Sequence, residues 1–193
     1  DLAEPFLRGM QNGALNFKGK TRHAEFALSS LLPSQSGALI SQLLRQRPLP
    51  ADGAGPMIEL VGAAGGPGEL AIIYKQLQEG GFEQGAQARV LAALARAANV
   101  RNVRPNGNLA GAGEFLKTDD DATRNFAVQL AGAWKRSDLV DPLLVFAAEG
   151  SGVAFESLVQ IRGPKVIAGL KALSAADKPV GTRQAAARAL GRM

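Results

Sequence analysis

The sequence predicts an all-α protein, a right-handed α-solenoid of about six antiparallel helix pairs. Three observations carry that expectation. β-branched residues are sparse, and no stretch alternates apolar and polar residues cleanly with period two. Apolar residues recur instead at spacings of three and four, as in Leu91, Leu94, Ala95 and Ala98, or Phe126, Leu130 and Trp134. Finally, a short apolar landmark ending in glycine returns about every 30 residues. "IELVG" ends at Gly62, "VQLAG" at Gly132, "LVQIRG" at Gly163 and "ARALG" at Gly191. One helix pair cannot bury its apolar face alone, so a period of this length implies stacked pairs.

Gly, Pro and Asn punctuate the chain at short intervals and divide it into about twelve helices. The expected spans are 3–16, 21–32, 35–46, 54–64, 68–80, 83–98, 107–117, 120–134, 138–149, 152–162, 164–174 and 181–192. The linkers are only a few residues long, which favours antiparallel neighbours. Between Gly62 and Gly132 lie 70 residues, enough for two repeats, with "LAALARAA" as the unmarked one. "HAEFALSSL" stands one step further upstream. A second landmark keeps phase. Thr123-Arg124 ends eight residues before Gly132, and Thr182-Arg183 ends eight before Gly191. Arg89 holds a similar place in "AQARVLAALARAA".

At these residues a family becomes recognisable. "TDDDATRNFAVQLAGAW" and "GTRQAAARALGRM" resemble the second helices of HEAT-like repeats, in particular the phycobilisome-lyase type. That family's pattern is an Asp, then Val-Arg, Ala-Ala and Leu-Gly. Asp121, Thr123-Arg124, Phe126-Ala127 and Leu130-Ala131-Gly132 match it, as do Thr182-Arg183, Ala185-Ala186 and Leu190-Gly191. Thr replaces the usual Val, and "GVAFESLVQIRG" lacks the Arg. The resemblance covers about residues 83–193 well and 1–80 less well. It implies a single HEAT-like domain over 1–193, with a bilin- or cofactor-lyase-like module as one functional option. The order from "IELVGAAG" to "DDDATRNFAVQLAGAWK" is also similar to the HEAT-repeat region of large secreted proteins of planctomycetes and verrucomicrobia. Those proteins often carry a β-propeller dehydrogenase-like domain and a c-type haem domain. This second resemblance implies an extracytoplasmic linker or scaffold within a longer, haem-associated protein. The chain starts at Asp1 rather than Met and shows no signal peptide, which fits a mature form or an excised fragment.

Composition narrows the chemistry. The 193 residues are 46% hydrophobic, enough to bury a sizeable core. There is no cysteine, which excludes disulfides, thiolate metal sites and a cysteine nucleophile. The longest uncharged run, from Phe26 to Leu44, contains Pro33, Ser34, Gln35, Ser36 and Gln42 and is too polar to span a membrane. His23 is the one histidine, so no His–His metal pair exists. A Ser-His-Asp triad would have to use it beside Ser29 or Ser30, without a Gly-x-Ser-x-Gly elbow. "GAAGGPGE" lacks the Lys-Ser/Thr of a phosphate loop, so Gly65, Gly66 and Gly68 read as a helix end and Pro67 as the next helix start.

Asp119, Asp120 and Asp121 invite a calcium reading. From Asp119 the loop would need Gly at position six and Glu at position twelve, where Arg124 and Leu130 stand. A helix start fits better, with an Asp N-cap and further carboxylates facing the positive end of the helix dipole. No catalytic, cofactor or metal residue is expected, and the chain reads as a non-enzyme. Phe26, Phe82, Phe115, Phe126, Phe146, Phe155 and Trp134 fall at core spacing.

Net charge is +5, with 13 Lys/Arg against 9 Asp/Glu in residues 101–193 and 9 against 8 before them. Arg96, Arg101 and Arg104 stand in or beside the longest expected loop. With Lys117, Arg124, Lys135 and Arg136 they would form a basic stripe if they share a face. The leading reading is a protein–protein interaction scaffold or spacer, whose partner is another protein or a neighbouring domain of the same chain. The alternative is a HEAT-like nucleic-acid binder, DNA-glycosylase-like, that uses this stripe on its concave side, with a catalytic Asp drawn from Asp119–Asp121.

Overall fold

The structure is a computed structural model that describes residues 48–55 and 57–193, together with Ile40, Ser41 and Leu44. The described residues are helical or irregular, with no strand among them. The expected helices 3–16 and 21–32, His23 and Phe26 lie outside the described residues, as does most of 35–46. The chain separates into two compact units, 1–109 and 110–193.

In the first unit, α1 (Met57–Ala64), α2 (Pro67–Gln78) and α3 (Gln84–Arg101) pack on one another, α1 most extensively on α3. The core is Ile58, Leu60, Leu70, Ile73, Leu91 and Leu94, all essentially sealed from solvent. Burying each such side chain is worth about 1.5–3 kcal/mol. Pro67 opens α2 at its first position, where its missing N–H costs no hydrogen bond. The N–H of Gly66 donates to Glu69 Oε2 at 2.8 Å, and Ser41 Oγ donates to the other oxygen of Glu69. Gln76 ties the segment before α1 to α2, exchanging bonds with Leu49 N–H at 3.1 Å and Leu49 O at 2.8 Å. The buried Tyr74 hydroxyl donates to Leu109 O at 3.2 Å.

α3 runs three residues beyond its expected end at 98. Val100 is 74% exposed and does nothing to stop it. Asn102 stops it, in the left-handed region at φ 53°, a conformation Asn tolerates better than most residues. Arg101 is therefore a helix residue, as Arg96 was expected to be, and only Arg104 follows the helix.

In the second unit, a 3₁₀ helix (Ala110–Lys117) precedes α4 (Asp121–Ala133), and a 3₁₀ turn (Ser137–Leu139) leads into α5 (Val140–Ala148). Then come α6 (Gly152–Ile161), α7 (Pro164–Leu173) and α8 (Val180–Gly191). α4 packs on α6 and α6 on α8, while α5 packs on α7; α5 also packs on α6, and α7 on α8. The 107–117 segment is tighter than the expected α-helix. It holds Gly111 and Gly113, poor helix formers, and a Cβ on Gly113 would stand 2.9 Å from Leu139 Cδ2.

Local signals explain most boundaries. Asp120 caps α4, accepting from Thr123 N–H at 2.7 Å. Lys135, at φ 54°, ends it, and Arg136 N–H closes back on Ala131 O at 2.9 Å. Ser151 caps α6, and Pro164 opens α7 after Gly163 at φ 109°. Phe82, Phe155 and Trp134 are buried as core spacing requires, whereas Phe115, Phe126 and Phe146 are half-buried. Among the described residues no helix is long and apolar enough to cross a membrane.

Candidate functional site

The described part of the second unit contains a groove of about 340 Å³. Three consecutive elements build it. α4 contributes Arg124, Asn125 and Val128 from its first two turns, α5 contributes Phe146, and the turn Glu149-Gly150-Ser151 closes the far wall. The turn is tight because Gly150 adopts φ 94°, a conformation that glycine takes without strain. Val128 and Phe146 provide an apolar surface, and Arg124, Asn125, Glu149 and Ser151 surround it with polar groups of both charges. The volume suits one side chain or a short segment of a partner rather than a large cofactor.

Arg124 is held in place from its own side. Its Nη1 donates to Thr118 O at 2.8 Å, and its Nη2 pairs with Asp121. Asp120 is held below the usual carboxylate range, chiefly by Thr123, whose N–H donates to it at 2.7 Å, and then by the nearby Arg124 charge. The acidic triplet thus divides into a helix cap and an ion-pair partner, with Asp119 exposed beside them. Among the described residues no three His, Cys, Asp or Glu side chains gather as a metal site.

The other expected basic residues have varied surroundings. Arg101 lies against the C-terminal end of α1, where its Nη2 donates to Gly62 O at 2.9 Å and to Gly65 O at 2.8 Å. Burial pushes its pKa down, and the neighbouring Arg96 charge adds to that. Arg96 is exposed and Arg104 half-buried. Lys117 pairs with Glu114 at 2.9 Å, an i,i+3 contact that the threefold 3₁₀ turn places on one face. Arg136 chelates Asp138 and also reaches Ala110 O at 3.4 Å. Its guanidinium holds the Asp138 carboxyl below the usual range. Lys135 is exposed at the α4 terminus. The candidates fall into two sets, Arg96, Arg101 and Arg104 in one unit and Lys117, Arg124, Lys135 and Arg136 in the other.

Sequence reasoning placed Arg124 near a site but missed Asn125, Phe146, Glu149 and Ser151. The available signal was the Glu149-Gly150-Ser151 turn, which a helix-pair reading brings beside the first turns of the preceding helix. It also treated Arg89 only as a landmark. Arg89 in fact forms a two-point pair with Glu59, at 2.7 and 2.8 Å, and donates to Gly53 O and Gly55 O at 2.7 and 3.0 Å. The Glu59 bond is the main cause of its raised pKa.

No family model matches this sequence, and no curated protein or solved structure matches it either.

Proposed function

We propose that the chain is a non-catalytic protein–protein interaction scaffold, built as a HEAT-like right-handed solenoid, and that the groove between α4 and α5 seats a side chain of its partner. The partner is another protein or a neighbouring domain of the same polypeptide. The single observation that carries the repeat reading is the equivalence of two arginines. Arg124 donates to Thr118 O at 2.8 Å and Arg183 donates to Ala176 O at 3.3 Å. Each reaches back to the loop before its own helix, and each follows a buried threonine, Thr123 or Thr182. Similar backbone contacts at positions 59 apart in sequence support the repeat reading.

The groove supports the interaction reading. Its apolar floor and mixed-charge rim match the make-up of a contact patch, with an aromatic centre and a polar margin. The extracytoplasmic, haem-associated setting is part of the proposal on the strength of the resemblance alone. The nucleic-acid reading is weaker, because Arg101, Arg124 and Arg136 donate to carbonyls and carboxylates within the fold.

A peptide array with a central basic or apolar residue tests the proposal, followed by NMR titration of the best binder. Amide shifts concentrated at 124–128 and 146–151, lost in the Glu149→Lys variant, are the expected result. Absence of any binder that moves those amides would overturn the groove assignment. Micromolar or tighter binding of duplex DNA at ~0.15 M salt would overturn the scaffold reading in favour of nucleic acid.

A further inference from the structure

The segment that follows α3, residues 102–109, contains the pair Asn106-Gly107. Both residues are exposed and neither is helical. Gly107 adopts φ 92°, which glycine takes without strain, and a Cβ there would meet nothing within 4 Å. Among the described residues neither the Asn106 side chain nor the Gly107 N–H takes a hydrogen bond. The backbone is pinned on both sides of the pair. Asn106 N–H donates to Pro67 O at 3.1 Å, and Leu109 O accepts from the Tyr74 hydroxyl at 3.2 Å. The other described asparagines are placed differently. Asn99 and Asn125 lie inside α3 and α4, whose ladders hold the next backbone nitrogen. Asn102 precedes the β-branched Val103, whose N–H donates to Ala97 O at 3.1 Å, and Asn108 precedes the bulky Leu109.

We infer that Asn106-Gly107 is a site of spontaneous covalent modification, at which the Asn106 amide is lost through a succinimide to give aspartate and isoaspartate. The Gly107 nitrogen gives its proton to solvent base and attacks Asn106 Cγ. The N–Cγ bond forms, the Cγ–Nδ2 bond breaks, and the amide nitrogen leaves as ammonia. Water then opens the five-membered ring. Breaking the bond from the Gly107 nitrogen to Cγ leaves aspartate. Breaking its bond to the backbone carbonyl carbon leaves isoaspartate, whose chain runs through the former side chain and is one methylene longer. Water is the only co-reactant. The fold leaves each participant ready: the nitrogen is not engaged, no Cβ crowds it, and solvent reaches both residues. Either product adds a carboxylate two residues after Arg104. Isoaspartate also lengthens the short span between the two pins. The Pro67 bond precedes the added methylene, so the Tyr74–Leu109 bond takes up the change.

Peptide mapping of the full chain, aged in mildly alkaline buffer beside a free peptide of residues 101–111, tests the inference. Asn106 should convert within about tenfold of the peptide's rate, because an exposed turn without hydrogen bonds rearranges at little cost. Asn102 and Asn125 should keep their amides over the same time. Asn12-Gly13 is the same pair outside the described residues, and mapping reads it as a separate peptide. Asn106→Gln, which would have to close a six-membered ring, should abolish the conversion. An Asn106 that stays intact while the free peptide reacts overturns the inference, since the fold then protects the pair. Conversion at Asn102 or Asn125 as fast as at Asn106 overturns it too, since the placement then selects nothing. The consequence is read by NMR at Tyr74, the one tyrosine of the chain. Its ring signals should shift in the purified isoaspartate form. Asn106→Asp adds the charge without the methylene and should leave them in place. Unmoved signals in the isoaspartate form overturn the coupling to Tyr74.

Discussion

The α1–α3 contact of the first unit and the α4–α6 contact of the second solve one problem with different polar chemistry. Both press a glycine backbone against a small residue, Gly62 on Ala93 and Gly132 on Ser157. The first contact is locked by Arg89, which joins Glu59 and the carbonyls of Gly53 and Gly55, and by Arg101 over the end of α1. The second is locked by one buried hydroxyl, Ser157 Oγ to Val128 O. The shared feature is steric: a glycine backbone against a small residue. The polar lock is local and is free to vary, because any donor that satisfies the facing carbonyls serves the packing equally.

The largest expected effect breaks the shared feature. Gly62→Leu and Gly132→Leu each force a side chain into backbone less than 3 Å away and should destabilise their unit by about 3 kcal/mol. Chemical denaturation of each variant checks this, and near-wild-type midpoints would mean the helices do not approach so closely. Next come the guanidinium locks. Arg89→Met should cost about 1–2 kcal/mol, discounted for a side chain 39% exposed, and Arg101→Met about 1 kcal/mol. Both losses should appear in hydrogen exchange of the first unit and leave the second unchanged. Ser157→Ala should cost about 1 kcal/mol and show the reverse pattern.

The smallest effect sharpens the contrast through pH. Among the described residues the carboxyls held below their usual range are Asp120, Asp138, Glu156 and Asp177, all in the second unit. Their causes are Thr123, Arg136, Arg192 and Lys178 respectively. Such a group stabilises the fold above its unfolded pKa, and the contribution disappears as pH falls through the lower folded value. Hydrogen-exchange protection should therefore fall in the second unit before the first as pH drops below about 4. Equal acid sensitivity of the two units would remove this distinction.

Much of the helical order was legible because its signals are short-range. Pro67 and Pro164 open helices where expected, and Asp120 caps α4 from within the acidic triplet. Misreadings occurred where local signals compete. The expected end of α3 was residue 98, but the helix continues to Arg101, which bonds carbonyls 39 and 36 residues away. The glycines of 107–117 allowed a helix, and its stretch from Ala110 to Lys117 takes the tighter 3₁₀ form. Of the groove, only Arg124 stood out in sequence, because Phe146 and Glu149 look like ordinary residues of an amphipathic helix.

By itself the sequence determined that the described residues are helical, the order of the helices from Met57 onward and most of their ends. Apolar periodicity, capping residues and turn glycines act within about one or two helical turns, so neighbouring residues contain the information. The tertiary structure alone decided which glycine faces a helix and which faces solvent, and which arginine serves the fold. Gly132 and Gly191 end nearly the same motif, yet one touches Ser157 and the other touches nothing within 4 Å. That difference lies in the neighbour rather than in the motif.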